Sequence, residues 1–493
     1  MGPPALVLHP TQRGLLGVSF SLLSGNPKLK RWPKDPKVSN FYIMEVGEMA
    51  LPTFRKGVHP PHGKGHTEEC PVQWIDPGSE LVFPMAQHIG APCKPLVKKG
   101  DRVLVGQKIG DNDAYVSAPI HSSVSGIVKE VSQRLVASGA MDTCVVVEND
   151  GQYELDPSIS PRPDWEDLPA DEIRRIIREA GIVGMGGACF PTAVKLTPPP
   201  DKKVDHVIIN GAECEPYLTC DDRLMRERGD RVLLGLQIAL KLFPQGVKGV
   251  VALEDNKPKA IEAMRGYLDR LAIQNVTVQP VRTKYPQGAE KMLIYAVTGR
   301  EVPAGGLPAD VGCIILNVRT AYAIWDAVVN RMPVIDRIVT VSGDAIKEPK
   351  NLGVRLGMSV RELIEACGGF SVEPLKVIMG GPMMGVALSD LNVPVVKGTS
   401  GILAFSEALA RLGEEENCIR CGKCVSTCPM GLLPYQLNAE VLRRNYDEFE
   451  RLGGMNCIEC GCCAYACPAR RHLTQSCRDG KRTILARRRK GGA

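Results

Sequence analysis

Two cysteine runs of one spacing constrain this chain more than any other feature. Cys418-x2-Cys421-x2-Cys424-x3-Cys428-Pro429 is followed by Cys457-x2-Cys460-x2-Cys463-x3-Cys467-Pro468. Nine of the 18 cysteines lie between Cys418 and Cys467. No membrane-length apolar stretch and no secretory leader is legible, so the chain is expected to stay cytosolic, where such density signals metal binding and not disulfides. The spacing is that of a paired [4Fe–4S] motif. Three thiolates of one loop hold three corners of a cubane, and the fourth cysteine, which opens a helix, serves the other cluster. Cluster one is therefore assigned Cys418, Cys421, Cys424 and Cys467, and cluster two Cys457, Cys460, Cys463 and Cys428. Gly422 and Gly461 leave room for each loop to wrap its cluster. Cys462 and Cys477 read as free thiols beside this register. Zinc fits the double spacing poorly, so the expected chemistry is one-electron transfer.

Composition bears on what surrounds the clusters. With 44% hydrophobic and 24% charged residues, the chain is expected to fold over most of its 493 residues, as several domains. Its net charge is +6, yet Arg470–Lys490 alone carries +8, leaving about −2 for everything else. A nucleic-acid binder spreads basic charge over a folded surface, so no nucleic-acid partner is expected. The basic end reads either as solvated or as a docking strip for an acidic protein or an anionic membrane surface.

The segments before the clusters divide by pattern. Residues 1–48 lack periodicity and read as a flexible leader, with the natural start at Met44 or Met49. Residues 49–160 hold short strands around glycine turns, with two halves resembling a lipoyl-type β-sandwich. The turn at Asp111–Ala114 has no lysine to carry a prosthetic group, and Lys108 reads as a strand surface residue, so this domain is structural. Residues 161–334 alternate helix and strand, which implies an α/β layer with a mainly parallel sheet. Residues 335–392 read as a small α+β domain, 393–475 as the helical cluster domain, and 476–493 as the basic tail.

Within the α/β segment, Gly184-Met-Gly-Gly-Ala-Cys-Phe-Pro-Thr-Ala-Val-Lys195 can bring backbone N–H groups close to an anionic group. It has neither the Rossmann nor the Walker spacing. Asn210, Glu213 and Glu215 fall at the end of a predicted strand, where open α/β sheets bind ligands. The segment from Tyr285 through Gly288 puts Glu290 and Lys291 at the head of a predicted helix, and Asn317 and Thr320 mark another strand-to-helix junction. Each could be an ordinary cap, but four such junctions in one domain argue for a shared site.

At these residues the chain resembles the flavoprotein subunit of respiratory complex I. The order of all its segments, from about Phe54 to Cys467, resembles the RnfC family, the peripheral subunits of Rnf ion-translocating ferredoxin:NAD oxidoreductases. His59-Pro-Pro, Gln87-His-Ile-Gly-Ala and Gly380-Gly-Pro-Met-Met-Gly belong to that likeness. The resemblance implies a lipoyl-like β-sandwich, a flavoprotein-like α/β domain, a β-grasp domain of the soluble ligand-binding (SLBB) type and a C-terminal two-cluster ferredoxin-like domain. It implies FMN beside the glycine loop, which Gly184 and Ala188 also help form, with its phosphate at Gly186, Gly187 and the Thr320 region. Lys195 would offer charge and Asn210 a hydrogen bond to the flavin. Phe190 would stack on NAD(H), and Glu215 and Glu290 would reach the dinucleotide. Where complex I carries an arginine, an acid and an asparagine, this chain has Met185, Ala289 and Leu316. No catalytic side chain is required, because the cofactors carry the chemistry. The implied partners are membrane-embedded Rnf subunits, ferredoxin and NAD(H), at the cytoplasmic face of the membrane. Two alternatives stay open: a flavin-free iron–sulfur relay, and a soluble flavin–iron–sulfur reductase of the cobalamin reductase type.

Overall fold

The computed structural model describes residues 5–10, 16–21, 50–411 and 413–491. Of the expected leader, Ala5–Pro10 and Leu16–Ser21 form an antiparallel pair in which Ala5 faces Ser21. The remainder of 1–48, including the proposed starts at Met44 and Met49, lies outside the described residues.

From Pro52 onward the chain is one compact unit. Its β-sandwich pairs Glu80–Pro84, Met141–Asn149, Gly126–Leu135 and Arg102–Val103 in one sheet and Lys94–Pro95, Lys108–Asp111 and Ile120–His121 in another. Alternating side chains such as Leu81, Phe83, Val145 and Val147 fill the interior. Lys108 is held by Asp111 at 2.8 Å and Glu179 at 2.5 Å, so its amine is part of an ion-pair network.

The α/β domain has four parallel strands, in spatial order Val276–Val281, Lys248–Glu254, His206–Gly211 and Cys313–Asn317. In chain order this is 3-2-1-4. The chain builds outward from the first strand, then returns to its other side. The carboxyl ends of His206–Gly211 and Cys313–Asn317 thus flank a topological switch point, where such sheets open a crevice. Helix Ala170–Glu179 buries Ile173 and Ile177 as its periodicity predicts. The helix expected from Arg231 starts earlier, at Cys220, and runs to Leu240. A non-helical Arg228 (φ −142°) divides it, so the hydrophobic period marks only its second half. At Gly235 a Cβ would sit 1.8 Å from the Ala321 carbonyl oxygen. That close approach seats helix Val318–Val329, and with it Asn317 and Thr320, against the sheet.

The β-grasp sheet is larger than the segment 335–392. Strand Gly401–Phe405 pairs with both Asp336–Ser342 and Lys376–Met379, and Val72–Trp74 adds an edge strand beside Lys350–Arg355. The sheet thus takes in a fully buried strand from beyond residue 392. Ser359 caps helix Val360–Ala366 with a reciprocal Glu362 contact. The basic tail is likewise part of a larger element. Residues 473–491 form one helix whose Leu473, Cys477 and Ile484 are buried in the cluster domain.

Lys397 joins three domains. Fully buried, it donates from Nζ to the carbonyls of Pro119 (2.5 Å) and Gly181 (2.7 Å), while its N–H meets Gln87 Oε1. Burial lowers its ammonium to about 8, against the opposing pull of Cys93 and Cys189. Between about pH 8 and the ordinary value of 10.5, the unfolded chain holds a proton that the folded chain has released. Stability therefore rises with pH across that window. Lys397→Met leaves two buried carbonyls unpaired and is expected to cost ~2–4 kcal/mol and to abolish that rise. Anaerobic denaturant titrations at both ends of the window check it; an unchanged slope would exclude Lys397 as its source.

Candidate functional site

The glycine loop lies over the switch point. Gly184 N–H donates to Phe190 O (2.8 Å) and Cys189 N–H to Gly184 O (3.1 Å), closing a compact turn. Thr320 clasps the turn from below: its hydroxyl accepts from Met185 N–H (2.9 Å) and donates to Val183 O (3.1 Å). The fully buried Arg337 donates to Met185 O (3.1 Å) and to Thr399 O (2.9 Å). Ile89 N–H of the Gln87–Ala91 motif reaches Cys189 O (3.1 Å). So anchored, Gly186, Gly187 and Ala188 turn an exposed backbone outward. Gly187 has φ +125°, and a Cβ there would meet nothing within 4 Å. At Gly186 a Cβ would come within 3.3 Å of Asn317, the cap of helix Val318–Val329. An open backbone concavity beside a helix N-terminus suits a phosphate.

The other expected residues sort into two groups. Lys195 pairs with Glu290 at 2.5 Å and donates to Ile315 O (3.1 Å). Asn210 donates to Gly288 O (2.7 Å) and accepts from Ala212 N–H (3.3 Å). Phe190, at the end of the glycine turn, is half-buried. Glu213 and Glu215 are turned to protein partners instead. Glu213 accepts from Asp221 N–H (2.7 Å) and caps the Cys220–Leu240 helix. Glu215 accepts from Met383 N–H of the β-grasp loop (3.0 Å), and its other oxygen lies 3.3 Å from Tyr285 Oη. The expectation that Glu215 reaches a dinucleotide meets a carboxylate with protein neighbours at both oxygens. Asn317 is also committed, donating to Asp221 (2.7 Å) and capping its own helix. Met185 and Leu316 are buried, so both departures from the complex I pattern serve the core, while Ala289 stands just before helix Glu290–Thr298 with no side-chain cap.

Sequence reasoning missed the cations beneath. Buried Lys64 donates to the carbonyls of Glu213 (2.9 Å), Glu215 (3.0 Å) and Leu218, and Lys257 donates to Ala212 O (2.6 Å). Burial raises the carboxyls of Glu213 and Asp221, opposed by Lys64 and Arg337 respectively, and lowers the Lys64 ammonium, opposed by Glu213. Lone lysines far apart in sequence carry no motif that would reveal this.

The cysteines gather as the exchange rule requires. Cys418, Cys421, Cys424 and Cys467 line one cavity, together with Lys56 and Arg420. Cys428, Cys457, Cys460 and Cys463 line another, together with Cys462 and Cys477. Among the described residues no three such ligands converge on a point suited to a single ion; a cubane is held instead by thiolates spaced around a body. The two runs repeat one backbone. Left-handed residues recur at the third, fifth and fourteenth positions: Arg420 and Glu459, Gly422 and Gly461, Gly431 and Arg470. Cys418 and Cys421 are exposed, whereas Cys460 and Cys462 of the second run are buried against Tyr285, Met383 and Val58. Tyr285 Oη donates to Cys460 O at 2.8 Å, joining the Glu215 turn to the second cluster loop.

Comparison with known proteins agrees with this layout. Family models match as an RnfC barrel sandwich hybrid domain over 52–152, a Nuo51 FMN-binding domain over 177–326, an SLBB domain over 338–387 and a 4Fe-4S dicluster domain over 417–470. The chain is 50% identical over 441 residues to the C subunit of the Na(+)-translocating ferredoxin:NAD(+) oxidoreductase complex of Acetobacterium woodii, covering 89% of this chain and 98% of that one. It is 50% identical over 388 residues to the C subunit of the proton-translocating ferredoxin:NAD(+) oxidoreductase complex of Clostridium ljungdahlii, covering 79% and 84%. To the C subunit of the ion-translocating oxidoreductase complex of Rhodobacter capsulatus it is 44% identical over 406 residues, covering 82% and 78%. With four family models in this order and this breadth of identity, the chain belongs to the RnfC family, the C subunits of ion-translocating oxidoreductase complexes.

Proposed function

We propose that this chain passes electrons between NAD(H), at an FMN site in the switch-point crevice, and two [4Fe–4S] clusters that lead to other subunits of a membrane complex. One arrangement carries the reading: the crevice, the Glu215 turn, Tyr285 and the Cys460 loop are joined in sequence, and the other cavity opens at the surface. When bound, FMN and the clusters supply the conversion between a hydride's electron pair and single electrons. The chain's own residues bind and orient. The Gly186–Ala188 backbone and the helix N-terminus at Val318 receive the phosphate. Lys195, Asn210, Gly288 and Glu290 frame the flavin, and Phe190 offers an aromatic face to the nicotinamide or adenine. Glu213 and Glu215 fix the strand-end turn beneath.

No helix among the described residues is long and apolar enough to cross a membrane. The reading therefore makes the chain a peripheral subunit at the cytoplasmic face, exchanging electrons with membrane-embedded Rnf subunits and, through them, ferredoxin. The exposed Cys418–Cys421 loop, with Ile419 at 68% exposure and Arg420 beside it, favours cluster one as the exit toward those partners.

Anaerobic purification is expected to give about eight iron and eight sulfide, one FMN per chain, and bleaching of the visible spectrum by NADH. The same iron without flavin, and no NADH response after FMN is added back, would leave a flavin-free relay. Gly187→Val places a side chain in the cradle at a left-handed position. It is expected to weaken flavin retention at least tenfold, about 1.4 kcal/mol, with iron unchanged; intact flavin binding would remove Gly187 from the site. Cys418→Ser is expected to lower iron from about eight to about four while flavin reduction by NADH persists. Failure of NADH to reduce the remaining cluster in that variant, with flavin still reduced, would place cluster one, not cluster two, beside the crevice.

A further inference from the structure

The helix Leu473–Gly491 carries the basic residues that end the chain, and its inner face is turned to one cluster cavity. Thr474, Cys477 and Lys481, spaced i, i+3 and i+7, share that face. The Thr474 hydroxyl lies 3.7 Å from Cys463 Sγ. Cys477, 1% exposed, lines the cavity with its thiol against the Cys457 sulfur. Lys481 Nζ donates to Cys457 O (2.8 Å) and to Glu459 Oε1 (2.6 Å), and Glu459 N–H points to Cys457 Sγ (3.4 Å). One helix thus brings a hydroxyl, a thiol and an ammonium to two ligands of the same cluster. The cavity of Cys418, Cys421, Cys424 and Cys467 has no residue of this helix beyond Leu473 in its lining.

We propose that Thr474, Cys477 and Lys481 act as positioning residues that raise the reduction potential of cluster two. The inference rests on the reading that Cys428, Cys457, Cys460 and Cys463 hold a [4Fe–4S] cluster. Reduction adds one electron to a body already carrying thiolate charge. Donors aimed at the ligand sulfurs, and a cation at the ligand backbone, stabilise the reduced form more than the oxidised one. Burial without such donors would work the other way, because the more highly charged reduced form is the costlier one to enclose. The helix offsets that cost at the cluster nearest the crevice, so electrons arriving one at a time find an acceptor there. Part of the chain's concentrated positive charge thereby has an inward role, while Arg487 and Arg488 pair with Asp447 and Glu450 on the surface.

The test is an anaerobic redox titration of the whole chain followed by electron paramagnetic resonance, with iron measured in the same samples. The Cys418→Ser variant, which lacks cluster one, assigns the remaining signal to cluster two. Cys477→Ala, Thr474→Val and Lys481→Gln are each expected to shift the cluster-two equilibrium three- to tenfold toward the oxidised form, tenfold being 59 mV for one electron. Cluster one in the same chains should hold its potential, and Thr474→Ser should restore the unsubstituted value. An unchanged cluster-two potential in Cys477→Ala and Lys481→Gln at full iron would overturn the proposal. So would an equal shift of both clusters, which marks a general loosening. If Thr474→Val or Cys477→Ala loses iron, Lys481→Gln, which touches no sulfur, decides alone. Unsubstituted chains with about four iron, or with a single signal, would instead defeat the two-cluster reading.

Discussion

Each cluster cavity takes its fourth cysteine from the opposite run, and this exchange is the constraint on which the C-terminal architecture depends. Cys467 closes the cavity begun at Cys418, and Cys428 closes the one begun at Cys457. Neither loop can complete its ligand set alone, so the runs must fold as one body. The repeated left-handed residues show one backbone solution used twice. What differs is the setting. The first run is braced by Gly57 N–H on Thr427 O and Lys56 on Val425 O, and its mouth stays open. The second packs against Tyr285, whose strand-like contact with Val58 pins the same N-terminal segment.

That shared segment and Tyr285 make the cluster domain continuous with the crevice. The acidic turn after His206–Gly211 is held flat by Lys64, and Glu215 reaches from it to both the β-grasp loop and Tyr285. Charges buried this deeply stay only where each has partners. Lys64, Lys257, Glu213, Asp221 and Arg337 form such a set beneath the site, fixing elements that lie far apart in sequence.

Much of this was legible because it is local. The cysteine spacing grouped the residues that line the two cavities, and the glycine loop and the strand ends at Asn210 and Asn317 followed from periodicity and turn chemistry. The illegible parts are long-range. Strand Val72–Trp74 joins a sheet whose other strands begin more than 260 residues later, and no local pattern encodes that pairing. Glu213 and Glu215 sit at the expected strand end, yet their direction is set by Lys64 and Met383, which a linear reading cannot bring to them. Cys477 read as a spare thiol, because only the helix that carries it shows which cavity it faces.

The unequal burial of the two cavities also sets an order of access. Cys418 and Cys421 stand at the surface, where dioxygen and chelators arrive first, while Cys428 and Cys460 are covered. Access from solvent is therefore unequal within one C-terminal domain: reagents meet the thiols of the first run directly, while those of Cys428 and Cys460 are shielded by their own packing.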